Sequence, residues 1–301
     1  CATHGLNIAV HTLVKPGGRV IISGYEHNAV TRPLHAISGV EITVADGPLF
    51  DGEEMVRQFA AALACPADAV ICTHVSNVFG FRLPVERIAA LCREKGVPFV
   101  LDASQSAGML PVDMDALGAA FIAMPGHKGL YGPQGTGLLL CARTPDTLLE
   151  GGSGSASRLP DMPPELPDHA EAGTQNVCGI CGLAAGLRFV QQQTPQRLLA
   201  HEVRQRELLT SLLTDVPGVR LFTGEPQSGT LSLCAAQMDC ETLAARLAVK
   251  GVCVRAGLHC APLAHESAGT LETGTVRFSL SAFNTEQEIF RTADLLKEIL
   301  A

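Results

Sequence analysis

A lysine flanked by glycine and an aspartate closing a short apolar run are the residues of this chain best placed to do chemistry. Lys128 lies in Phe121–Gly137, FIAMPGHKGLYGPQGTG, where the apolar run Ala119–Met124 stops at Pro125-Gly126 and His127-Lys128 follows. A lysine leaving the carboxyl end of a buried strand, beside glycines that let a ligand come close to the backbone, is suited to form a Schiff base. Lys15, Lys95, Lys250 and Lys297 sit in charged or turn-like surroundings and compete poorly. The plainer alternative for Lys128 is a solvent-facing loop residue.

Asp102 follows the apolar run Pro98–Leu101 within GVPFVLDASQSAG. Alone it reads equally as a helix N-cap. In a parallel sheet, however, Asp102 and Lys128 share the carboxyl rim, where α/β folds bind ligands. That pair meets the needs of pyridoxal phosphate: the carboxylate keeps the pyridine nitrogen protonated and the lysine holds the aldehyde as an imine.

The elements that must position these residues alternate in the α/β manner. Strands are expected over GRVIISG, Val40–Ala45, Ala69–Val75 and Pro98–Leu101, and helices over His27–Ile37, Asp51–Ala64 and Pro84–Lys95. The fold class is α/β with a mostly parallel central sheet. His27, just past the first strand, is placed to stack on a flat ring, and Asn77 to hydrogen-bond a ligand; either is also ordinary loop chemistry. Thr3, His4 and Gly5 precede an apolar helical stretch, Leu6–Val14, where backbone amides and the Thr3 hydroxyl suit a phosphate; otherwise Thr3 is a cap. The chain opens at Cys1 without an initiator methionine and reads as an N-terminally truncated fragment.

Gly151–Asp168, GGSGSASRLPDMPPELPD, has no hydrophobic period and reads as a long loop, with a helix resuming at Asn176. The expected division is a large domain over 1–193 and a smaller C-terminal α+β domain over 194–301. With 301 residues, 47% of them hydrophobic, the chain can bury a full core. A net charge of −8 argues against general affinity for nucleic acid or anionic membranes, and charges, prolines or glycines interrupt every apolar run before membrane length. Eleven scattered cysteines, an odd number, indicate reduced thiols and a cytoplasmic setting. The CGIC at Cys178–Cys181 reads as helix packing, with redox chemistry the lesser alternative.

Taken together, EHN at Glu26, HVSN at His74, DASQSAG at Asp102, GHKGLYGPQGTG at Gly126 and EAGTQN at Glu171 resemble the class V aminotransferase superfamily. Within it they look most like cysteine desulfurases and selenocysteine lyases. The resemblance implies the fold-type I pyridoxal phosphate architecture and a homodimer. It implies Lys128 as the imine and proton-shuttling residue, Asp102 as partner of the pyridine nitrogen, Gln105 as donor to the phenolic oxygen and His27 as the stacking ring. Asn77 would orient cofactor or substrate, Thr3 and His127 would hold the phosphate, and Thr174 would contact the neighbouring subunit's cofactor phosphate. The family usually carries a serine or threonine where this chain has Pro125, which offers neither hydroxyl nor NH.

VRAGLHCAPLAH, Val254–His265, and GTVRFS, Gly274–Ser279, resemble the short-loop branch of cysteine desulfurases. By that resemblance Cys260 accepts sulfur and Arg277 binds the substrate carboxylate, with Arg255 a second candidate. A thiolate near His259 and Arg255 would have a lowered pKa, and an arginine fork suits a carboxylate. His259, Cys260 and His265 as metal ligands lack a fourth partner, so no metal is expected. The implied activity converts L-cysteine or L-selenocysteine to alanine, leaving a persulfide on Cys260 for an acceptor protein or a reductant. The alternatives are another class V aminotransferase, epimerase or β-lyase, or a cofactor-binding protein without turnover.

Overall fold

Short runs of Val, Ile, Leu, Phe and Cys with no polar alternation make strands buried on both faces. The computed structural model describes residues 1–301. Its first sheet contains β1 (Arg19–Ser23), β2 (Glu41–Ala45), β3 (Ala69–Thr73), β4 (Phe99–Asp102), β5 (Phe121–Pro125) and β6 (Gly137–Cys141). Their order is β2-β1-β3-β4-β5-β6. The first five are parallel, while β6 returns antiparallel to β5.

Strand periodicity sends alternate side chains to two separate cores. Ile21, Val70, Leu101 and Ile122 face Met55 and Phe59 of α3 (Gly52–Ala62) and Ile88 of α4 (Val85–Lys95). Val20, Ile22, Ile71, Val100 and Phe121 face α1 (Ala2–Leu13) and α2 (Asn28–Ala36). The helix after β1 and the helix after β2 therefore cover opposite faces. Winding reverses between β1 and β3, and a crevice opens at the carboxyl ends of those strands.

A short helix, α5 (Met114–Leu117), precedes β5, and residues 142–176 contain no helix or strand. After α6 (Val177–Gln193) and α7 (Pro195–Leu213) comes a second sheet of β7 (Val219–Phe222), β8 (Thr230–Ala235), β9 (Arg255–Gly257) and β10 (Thr275–Ser279). Its order is β7-β8-β10-β9, antiparallel throughout. Leu231, Leu233 and Val276 pack against Leu209 and Leu213 of α7, Leu243 of α8 (Cys240–Val249) and Ile289 of α10 (Glu286–Leu300). The loop after β3 is tied to this sheet: Ser232 Oγ donates to Val78 O at 2.6 Å and Gln227 Nε2 to Phe79 O at 2.8 Å.

Four local features correct or add to the elements expected from the chain. Helix α1 starts at Ala2, so Thr3, His4 and Gly5 lie inside its first turn rather than before it. The third strand of the second sheet is short, spanning 255–257. A six-residue helix, α9 (Pro262–Ser267), follows the Cys260 turn, because proline is tolerated in a helix's first turn. Strand β6 emerges from within a glycine-rich motif that masks it. No helix is long and apolar enough to cross a membrane.

Phe121 is fully buried where β5, the strand leading to Lys128, packs toward α1. Phe121→Ala is expected to cost about 3–5 kcal/mol of stability, read by urea unfolding followed by circular dichroism.

Candidate active site

The crevice is polar because the strands around it end in Ser23, Thr73 and Asp102 while the loops beyond turn inward. A cavity of about 340 Å³ there is lined by Asp102, Gln105, His127 and Lys128 from the loops after β4 and β5, by Thr3 and His27, and by Asn77, Arg255 and Arg277. These separated motifs thus meet in one place. Thr73 and Ser104, to which the sequence assigns no role, also line it. Thr73 is masked as the last residue of an apolar strand. Thr174 lies apart, exposed in the irregular segment.

Asp102 is 2% exposed. Its Oδ1 accepts from Ser104 N at 2.9 Å, leaving the other oxygen for the cavity. His27 is the N-cap of α2, its Nδ1 accepting from Ala29 N at 3.0 Å. Its neutral ring therefore carries the proton on Nε2. Burial lowers the His27 pKa against the opposing charge of Asp102. Burial also lowers the Lys128 pKa; Asp102 opposes this, while Arg277 and Arg255 reinforce it. A larger neutral fraction of Lys128 makes the amine a better nucleophile and base.

The first turn of α1, with Thr3, also lines the cavity with His127 alongside, and first-turn helix amides suit an anion. Pro125, which ends β5, lines the same cavity.

The other half of the site comes from the second sheet. Arg277 and Arg255 are register partners on β10 and β9. Arg277 Nη1 donates to Asn77 O at 2.9 Å, but its Nε is buried without a partner. Burial, reinforced by Arg255, lowers the Arg277 pKa to about 10. Paired guanidinium groups that make no salt bridge provide a receptor for a carboxylate.

Cys260 lies beside this receptor, with Arg255 Nη2 3.4 Å from its Sγ. His259 and Cys260 have φ of 52° and 59°, a left-handed pair without glycine. Each residue costs about 1–2 kcal/mol in that conformation. The turn is pinned by Asn77 Nδ2 donating to His259 O at 2.8 Å and by Asn28 N donating to Cys260 O at 2.7 Å. The expected His259 cation beside the thiol is not found. His259 is 2% exposed, its Nε2 faces Thr275 O at 3.2 Å, and burial lowers its pKa to about 3. Arg255 is the cation at the sulfur. No group of three or more His, Cys, Asp or Glu is arranged to hold a metal ion.

The donor set fits pyridoxal phosphate: Asp102 would partner a pyridine nitrogen, the partly buried Lys128 amine an aldehyde, and the first turn of α1 with His127 a phosphate. Fold and crevice define a pyridoxal phosphate-dependent protein of fold type I. The pattern described as aminotransferase class-V matches residues 1–291, and the chain belongs to that family. It is similar to a probable cysteine desulfurase of Methanothermobacter thermautotrophicus, 35% identical over 300 residues that cover 95% of this chain and 74% of the relative. A probable cysteine desulfurase of Mycolicibacterium paratuberculosis is 34% identical over 302 residues, covering 95% of this chain; the chain spans 43% of that relative's length. The apo cysteine desulfurase from Thermococcus onnurineus superposes with a TM-score of 0.87 at 27% identity, covering 99% of this chain and 77% of that one.

A neutral His259 in the fold has a pH consequence. Its pKa lies near 3 when folded and near 6.5 when unfolded, so its contribution is present above about pH 6.5 and is lost as pH falls toward 3. Relative to His259→Gln, wild type is expected to lose stability by about tenfold in the unfolding constant per pH unit between pH 6 and 4. Urea unfolding of both proteins across that range checks this, since the other titrating groups are common to both.

Proposed function

We propose that this chain is a pyridoxal phosphate-dependent cysteine desulfurase acting on L-cysteine. The observation that carries the reading is the placement of Cys260 Sγ 3.4 Å from Arg255, which lines one cavity together with Arg277 and Lys128. A carboxylate receptor and a depressed-pKa amine lining one cavity, with a thiol beside the receptor, match the three groups of a cysteine substrate. The named relatives support the same reading.

Arg277 binds the substrate carboxylate, with Arg255 beside it. Bound pyridoxal phosphate supplies the electron sink that makes the substrate Cα–H acidic. Lys128 takes the Cα proton, Asp102 holds the proton on the pyridine nitrogen, and the His27 ring fixes the cofactor plane. Gln105 donates to the phenolic oxygen, while Thr3 and His127 hold the phosphate and Asn77 orients the substrate side. Cys260 Sγ, as thiolate, attacks the substrate sulfur: an S–S bond forms, the Cβ–S bond breaks, Cβ takes a proton, and Lys128 returns a proton to Cα to complete alanine. The persulfide on Cys260 then passes to an acceptor protein or a reductant. L-selenocysteine fits the same receptor, with selenium released instead.

The reading includes a homodimer in which Thr174 serves the neighbouring subunit's phosphate site. Its support is the exposed apolar surface of Leu138 and Leu140 on β6 and of Val177 and Ile180 at the start of α6. It also keeps the division into a large domain over 1–193 and a small one over 194–301, supported by the separate core of the second sheet.

Borohydride reduction after addition of pyridoxal phosphate, followed by mass spectrometry, is expected to place the label on Lys128. Label elsewhere, or none, counts against this site. With a thiol reductant present, L-cysteine is expected to yield alanine and sulfide in equal amounts. Cys260→Ala should lower that rate on the order of a hundredfold, and a full rate in this variant would exclude the sulfur-carrying role. Arg277→Lys should raise KM for L-cysteine at least about tenfold, with a smaller effect on kcat.

A further inference from the structure

Glu26 is fully buried and has no task in the reaction above. Its Oε1 accepts from Ser23 Oγ at 2.5 Å and from Thr73 N at 2.7 Å. Its Oε2 is buried without a hydrogen-bond partner. Ser23 closes β1 and Thr73 closes β3, so this one side chain bridges the two strands between which the winding reverses. Thr73 is in register with Asp102 on β4, and His27 is the next residue in the chain.

The titratable groups facing Glu26 are Asp102 from β4 and the Cys72 thiol from β3. Neither is a cation, and Glu26 takes part in no salt bridge. A bare carboxylate with an unpartnered buried oxygen, close to a second carboxylate, is strongly disfavoured. Two donors on Oε1 leave Oε2 as the oxygen that carries the proton. In the same direction, burial and then the Asp102 charge raise the Glu26 pKa to about 8.

We propose that Glu26 is a positioning residue of the crevice: an uncharged carboxylic acid that clamps β1 to β3 and so fixes His27 relative to Asp102. It leaves Asp102 as the single negative charge of that corner. The proposal rests on the desulfurase reading only where it treats His27 and Asp102 as cofactor contacts.

The test compares wild type with Glu26→Gln, a neutral near-isostere able to accept both bonds, and with Glu26→Ala, which can accept neither. A carboxyl group whose folded pKa lies above its unfolded value contributes stability fully present below about pH 4.3 and lost as pH rises through about 8. In urea unfolding of the full chain without added cofactor, the unfolding constant of wild type relative to Glu26→Gln is therefore expected to rise about tenfold per pH unit between pH 5 and 8, then level off. Groups common to both proteins cancel in this ratio. A flat ratio, or a Glu26→Gln protein that does not fold, would overturn the proposal.

Pyridoxal phosphate titrations supply the second readout. Glu26→Gln is expected to bind within about threefold of wild type, and Glu26→Ala at least about tenfold more weakly. Wild-type affinity in Glu26→Ala would overturn the clamp. Absence of label on Lys128 would sink the desulfurase reading but leave the unfolding ratio, which needs no cofactor, as an independent test of Glu26.

Discussion

The reversal of winding between β1 and β3 is the constraint on which the rest of the molecule depends. Parallel strands need crossover helices, and a helix normally packs over each strand end. Where successive helices depart to opposite faces, the strand ends are left uncovered. That gap admits a ligand but exposes backbone and side-chain polar groups that must find partners. His27 caps α2, Asp102 takes the Ser104 amide, and Asn28 N reaches the Cys260 carbonyl. The second sheet closes the other side through the loop after β3, where Asn77 bonds both His259 and Arg277.

Charge follows the same geometry. Lys128, Arg255 and Arg277 converge on a cavity in which Asp102 is the one acidic residue. Partial burial of that excess lowers the pKa of Lys128 and of Arg277. The amine becomes more reactive, and the guanidinium groups are left short of acceptors. An anionic ligand relieves both conditions, so binding and activation share one electrostatic cause.

Much of this is legible in the chain because apolar runs end abruptly. Asp102 and Lys128 follow buried strands whose composition alone marks them, and the parallel arrangement then forces them onto one rim. The environment of Cys260 is less accessible. Spacing places His259 next to the thiol, but burial against Thr275, a contact 16 residues distant in sequence, removes its positive charge. Glu26 stands out in the chain only as part of a motif, since its isolation from cations depends on three strands meeting. Thr3 reads as lying ahead of its helix because nothing in ATHG announces a helix start, and no side chain caps it. Strand β6 escapes because its leucines show no alternation, and two of them face outward.

The turn holding Cys260 determines where motion can occur. Two left-handed residues are fastened by carbonyl bonds to the start of α2 and to the loop after β3, and the chain re-enters a helix two residues later. In the proposed sulfur-carrying role, such a backbone holds Cys260 in place instead of swinging it outward on a loop. On that reading, delivery depends on the visitor: a recipient has to bring its own nucleophile to a half-buried sulfur whose backbone stays put.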